Sequence, residues 1–133
     1  MSTETPPNQN RENFRLSLLN ERKPVHCEIP FKGKMILTTV LDISASGVSI
    51  SVNSPGIQLG INQAYPACQL NLPDNGKIEV SLYIQYADEM LLPNGESVHR
   101  YGCRFIHCPP TSERKISTFI RERERLFLSN RLR

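Results

Sequence analysis

The sequence predicts a mainly β fold: a small antiparallel β-barrel of about six strands followed by one C-terminal α-helix. Three observations carry this expectation. Apolar residues alternate at period two through several short runs, turn residues separate those runs at short intervals, and only after Pro109-Pro110 does the period lengthen to that of a helix. A closed barrel suits such strands because closure removes exposed sheet edges. With 133 residues, 38% hydrophobic and 22% charged, the chain has the size and composition of one ordinary globular domain. We expect a disordered leader over residues 1–10 and a single domain over 11–133, with the barrel at about 16–108 and the helix at about 111–130.

Taken in order, Leu16, Leu18 and Leu19 are the first apolar anchor. In Val25-His26-Cys27-Glu28-Ile29-Pro30-Phe31 the odd positions Val25, Cys27, Ile29 and Phe31 share the face predicted to point inward. Phe31-Lys32-Gly33-Lys34 reads as a tight turn, and Met35-Ile36-Leu37-Thr38-Thr39-Val40-Leu41 as a strand rich in aliphatic and β-branched residues. Val48, Ile50 and Val52 then alternate with Ser49, Ser51 and Asn53, so one face is buried and one wet. Asn53 to Pro66, with two prolines and two glycines, is expected to be loop with a short turn around Ile57 to Ile61. Cys68 to Leu72, the turn Pro73-Asp74-Asn75-Gly76 and the run Ile78, Val80, Leu82, Ile84 and Tyr86, alternating with Glu79, Ser81, Tyr83 and Gln85, form a hairpin. After Pro93-Asn94-Gly95 comes Val98 to Ile106, with Tyr101, Cys103 and Phe105 inward and Arg100, Gly102 and Arg104 outward. The helix follows, with Thr111 or Ser112 as cap, Glu113 in its first turn, and Ile116, Phe119, Ile120 and Phe127 as its apolar stripe. Its arginines Arg114, Arg121, Arg123 and Arg125 interleave with Glu122 and Glu124 and read as a solvated face.

Several function classes are disfavoured. A net charge of +3 is too mild to call for nucleic acid or an anionic membrane, and the outward strand faces lack the aromatic platforms that single strands stack on. No apolar run is long enough to span a bilayer, and Met1 to Pro7 lacks the regions of a signal peptide, so the expected location is the cytoplasm without membrane insertion. Cys27, Cys68, Cys103 and Cys108 have no C-x-x-C spacing and read as buried thiols in preference to a metal site on Cys103, His107 and Cys108. No paired carboxylates, no nucleophile with its base and no metal cluster can be assembled, so neither an enzyme nor a cofactor or metal is expected.

The functional signal is concentrated in two places. Asp42-Ile43-Ser44-Ala45-Ser46-Gly47 puts a carboxylate, two hydroxyls and a glycine between two strands, where a plain hairpin would need only Asn-Gly or Asp-Gly. Its glycine supplies either positive φ or a close backbone approach. Upstream, Arg11 and Arg15 stand four apart, which aligns them whether the segment is helical or extended.

The order R-x-x-x-R then D-x-S-x-x-G, with strands around the second half, resembles the two-part signature of the PilZ domain family of bacterial receptors for cyclic di-GMP. Gly102 to Phe105, a G-x-x-F, also resembles the family's last strand. The resemblance implies that Arg11 and Arg15 clasp the dinucleotide, that Asp42 accepts from guanine N1 and N2, that Ser44 holds the turn or donates to the ligand, and that Gly47 leaves room for a flat base. Asn10 and Ser46 stand at the periphery of that site, and the alternation, which puts Arg104 on the barrel exterior, makes it a further peripheral candidate. Asn10 stands where many family members carry a further arginine, so a single ligand molecule and a stacked pair both stay open. The implied function is a non-catalytic cyclic di-GMP receptor that relays the messenger to a protein partner as its arginine segment becomes ordered. The alternative is an interaction module on the same barrel with weak or no nucleotide binding.

Overall fold

The computed structural model describes residues 14–131, so the expectations for residues 1–13, including Asn10 and Arg11, lie outside the described residues. Its elements run β1 (Leu16–Ser17), β2 (His26–Phe31), β3 (Lys34–Ile43), β4 (Gly47–Val52), β5 (Ala64–Leu72), β6 (Gly76–Leu91), β7 (Ser97–Ile106) and α1 (Pro110–Arg131). Strands neighbour one another in the order β1-β3-β2-β5-β6-β7-β4, and β4 returns to β3. The six strands β2 to β7 thus close an antiparallel barrel of the predicted class. β1 is an addition: Leu16 and Ser17 pair with Ile43 and Asp42, past the point where β2 has left β3.

The period-two pattern fills the interior. Cys27 and Ile29, Val40, Val48 and Ile50, Leu70, Leu82 and Ile84, and Cys103 are each essentially inaccessible to solvent. α1 adds Ile116 and Phe119 to the same cluster. At roughly 1.5–3 kcal/mol for each large side chain taken out of water, these residues are the main source of stability. The one buried hydroxyl among β3's inward positions is satisfied, since Thr38 donates to the Cys27 carbonyl at 2.7 Å.

Several expected boundaries and faces are corrected. β5 begins at Ala64, and Leu59 in the preceding loop is buried in the core, its amide donating to the Tyr101 hydroxyl at 3.2 Å. β6 continues past Tyr86 to Leu91 through the acidic pair Asp88-Glu89, because these meet Arg100 and His99 across the ladder. Pro110 opens α1, while Ser112 donates to the Glu79 carbonyl at 2.8 Å and ties the helix to β6 in place of capping it. Arg123 is no solvated residue: it lies 3.2 Å from Glu21 with its guanidinium 4.7 Å from the Phe119 ring centre. Phe127 is 58% exposed, because α1 runs on beyond the core that Ile116 and Phe119 fill. No helix among the described residues is long and apolar enough to cross a membrane.

Candidate functional site

Two β-bulges decide what the barrel's outer face presents. Strict alternation along β3 would put Asp42 on the same side as the buried Val40. The pairing shifts between Val40 and Asp42, leaving Leu41 as the extra residue, so Ile43 returns to the core and Asp42 turns outward opposite Ser49. The same device acts in β6, where a shift between Ile84 and Tyr86 corrects the inward place that alternation gives Tyr86. Register then aligns Asp42, Ser49, Gly102 and Tyr86 in one row across four strands. Beside it run the rows Gly47, Arg104, Tyr83 and Thr39, Ser51, Arg100, Asp88. The face therefore has a floor of small residues and a rim of arginines, tyrosines and acids.

The turn that presents Asp42 is held from within. Ser44 is buried, its amide donates to the Gly47 carbonyl at 2.8 Å, and its hydroxyl accepts from the amides of Gly47 and Ser46 at 3.2 and 3.3 Å. Ser46 is exposed and its carbonyl accepts from the Phe105 amide at 2.8 Å, which binds the turn to β7. Gly47 is required by close approach: a Cβ there would lie 2.0 Å from the Cys103 carbonyl oxygen. Gly102 meets a side chain and no backbone, so a Cβ there would displace only the exposed end of Tyr86. The Tyr86 ring lies over it, 2.2 Å from where a Cβ would be.

Charges gather on this face. Arg15 Nη1 donates to Asp42 Oδ1 at 2.5 Å, so the two sequence motifs, far apart in the chain, meet in space. β1 produces the meeting, because pairing Ser17 with Asp42 delivers the residues before it to the motif turn. Arg100 forks onto Asp88 through two bonds of 2.9 and 2.7 Å, which holds the Asp88 carboxyl below the usual carboxylate range. Arg104 is exposed, its guanidinium 5.2 Å from the centre of the Tyr83 ring. Among the predicted site residues, Arg15, Asp42, Ser44, Ser46, Gly47 and Arg104 are thus brought to one region of β3, β4 and β7.

Sequence reasoning missed Tyr86. The available signal was Gly102 inside a strand, a position where a neighbouring group comes close. Tyr83 and Tyr86 both face outward, which also removes the argument that this surface lacks aromatics. No cluster of three metal-ligating side chains occurs among the described residues. Cys27, Cys68 and Cys103 are free thiols whose side chains lie in the core, behind this face.

A model of the PilZ domain family matches residues 9–122. The chain belongs to the PilZ domain family. Among curated relatives, this PilZ domain is 34% identical over 88 residues to the flagellar brake protein YcgR of Janthinobacterium sp. (strain Marseille), covering 63% of this chain and 35% of that protein. It is 30% identical over 122 residues to YcgR of Azoarcus sp. (strain BH72), covering 88% of this chain and 47% of that one. The chain therefore spans about half the length, or less, of these relatives. Its fold resembles the PilZ domain of Escherichia coli YcgR solved with c-di-GMP, with a TM-score of 0.70 at 18% identity, covering 88% of this chain and 95% of that one. It resembles the K. pneumonia MrkH–c-di-GMP complex with a TM-score of 0.73 at 22% identity, over 88% and 51% of the respective chains.

Proposed function

We propose that this PilZ domain is a non-catalytic receptor for cyclic di-GMP, and that the outer face of β3, β4 and β7 is its binding surface. The observation that carries the reading is the meeting of Arg15 and Asp42, which joins the two halves of the motif in one place. A guanine offers N1 and N2 donors to the Asp42 carboxylate, and a phosphate offers oxygens to the guanidiniums of Arg15 and Arg11. Ser44 acts through the turn that it holds, Gly47 through the strand contact that sets the turn's position, and Ser46 and Arg104 stand at the edge.

The ligand must exchange with the Arg15–Asp42 pair, and magnitudes favour that exchange. An ion pair with Arg15 side chain 41% exposed is worth about 0–1 kcal/mol. Each charge-assisted hydrogen bond to the ligand is worth roughly 1.5–3 kcal/mol. Release of Arg15 from Asp42, followed by fixing of Arg11 to Arg15 over the ligand, would order this segment and change the surface that a protein partner meets. Ordering costs about 1–2 kcal/mol per residue, which favours moderate affinity. Calorimetric titration with cyclic di-GMP, with GTP and a single-stranded oligonucleotide as controls, tests the receptor reading. Amide exchange over residues 11–15 with and without ligand tests the ordering. Absence of binding leaves the interaction-module alternative.

A further inference from the structure

A second surface lies where α1 passes the loop after β1. Between them is a groove of about 720 Å³, lined by Leu16, Arg22, Lys23, Pro73, Leu126 and Phe127. Leu126 on its lining is 56% exposed, an apolar surface that a helix end has no folding reason to keep. The charges on its lining that lack an ion pair are all cationic. Glu21, the acid on the loop, is occupied by Arg123 at 3.2 Å, while Arg22 and Lys23 on the lining have no ion pair among the described residues. Asp74, 86% exposed and 3.9 Å from Arg123, and Glu122 belong to the adjoining cleft and not to the groove lining.

We propose that this groove docks an acidic amphipathic helix from a partner protein. Its apolar lining takes side chains at i, i+3, i+4 and i+7, and its cationic rim takes carboxylates on the flanks. The form of the surface selects this occupant: a concave cleft with walls on two sides accepts an inserted helix, whereas a bilayer needs a flat or convex apolar face. A second copy fits poorly, because a twofold interface would bring the same Arg22 and Lys23 rim against itself. Leu16 and Ser17 line the groove immediately after Arg15, so a ligand that moves Arg15 also moves the groove wall. That coupling, unlike the docking, rests on the receptor reading above.

The test uses the isotopically labelled full chain and two synthetic helical peptides with the same Leu and Phe spacing, one with glutamates and one with lysines on the polar face. The glutamate peptide is expected to shift the amides of Leu16, Arg22, Lys23 and residues 126–128. Its binding should weaken about tenfold or more in Leu126→Glu and in the double variant Arg22→Glu with Lys23→Glu, but not in Met35→Glu, an exposed apolar site elsewhere. Equal or tighter binding of the lysine peptide, shifts confined to other surfaces, or no shifts at all overturn the proposal. So does binding to phosphatidylglycerol vesicles that Leu126→Glu abolishes, which would make the patch a membrane surface. Self-association lost in Leu126→Glu would assign it to a second copy and overturn it equally. Repeating the titration with saturating cyclic di-GMP tests the coupling: a changed peptide affinity supports it, and an unchanged one removes the coupling while the docking stands.

Discussion

Arg15 and Asp42 are 27 residues apart in sequence and 2.5 Å apart in space, joined by one charge-assisted hydrogen bond on the outside of the barrel. Because neither side chain belongs to the core cluster, losing either should leave the free domain folded, at a cost within about 1 kcal/mol. Binding is expected to respond differently. Arg15→Ala and Asp42→Ala should each weaken cyclic di-GMP binding about ten- to a hundredfold, read by calorimetry beside a melting curve. Parent-like affinity in both variants, at parent-like melting temperature, would remove this pair from the site.

Gly47 makes a prediction about the scaffold. A methyl group there would sit 2.0 Å from the Cys103 carbonyl oxygen and 3.1 Å from the Arg104 Cα, both backbone atoms that cannot turn aside. Gly47→Ala should therefore part β4 from β7 and destabilise the domain by about 1–3 kcal/mol, visible as a lower urea midpoint. The motif turn moves with β4, so ligand affinity should fall as well. An unchanged midpoint would mean that the strands separate freely at this place.

The barrel was legible because buried strands with one wet face leave a period-two trace, and the helix because its stripe starts only after the proline pair. The turn from Asp42 to Gly47 was legible as a polar interruption between two such traces. Both bulges were not, since each is stabilised by backbone partners far away in sequence. Leu41 accepts from the Leu18 amide at 2.9 Å, and Ile84 exchanges bonds of 2.7 and 3.0 Å with Asn62 and Gln63. A local pattern carries no record of those partners, so it puts Tyr86 on the wrong face. It likewise reads Arg123 as solvated, because Glu21 and Phe119 reach it only in three dimensions.

Arg104 offers a test of how far the binding surface extends. It stands opposite Gly47 in β4 and opposite Tyr83 in β6, exposed and lying over the tyrosine ring. Arg104→Gln keeps hydrogen-bonding groups but removes the charge and most of the planar fork. Stability should change by less than about 0.5 kcal/mol, as for other exposed sites, while cyclic di-GMP affinity should drop by roughly three- to tenfold. An unchanged dissociation constant would confine the site to Arg15, β3 and the turn from β3 into β4.

The core thiols give the domain a defined alkaline limit. Burial pushes Cys103 from an ordinary value of 9.0 up to about 12, with the neighbouring Cys68 adding to the rise. Cys27 is also raised well above its ordinary value, first by its hydrogen bond with Cys68 and then by burial. A raised value means that the folded state holds its proton more tightly than the unfolded chain does. The stability so contributed is fully present below pH 9 and is lost as pH climbs from 9 through about 12. At about 1.4 kcal/mol per pH unit, Cys103 alone accounts for a loss on the order of 4 kcal/mol across that window. Urea midpoints measured from pH 7 to 11 should be flat at first and then fall. Cys103→Ala starts lower, because it leaves a small cavity, but its decline above pH 9 should be shallower by about one proton's worth of slope. In native protein at pH 7, maleimide should leave Cys103 unmodified and react with it only after denaturant is added. If the variant and the parent decline in parallel above pH 9, Cys103 is not among the groups that set the alkaline limit.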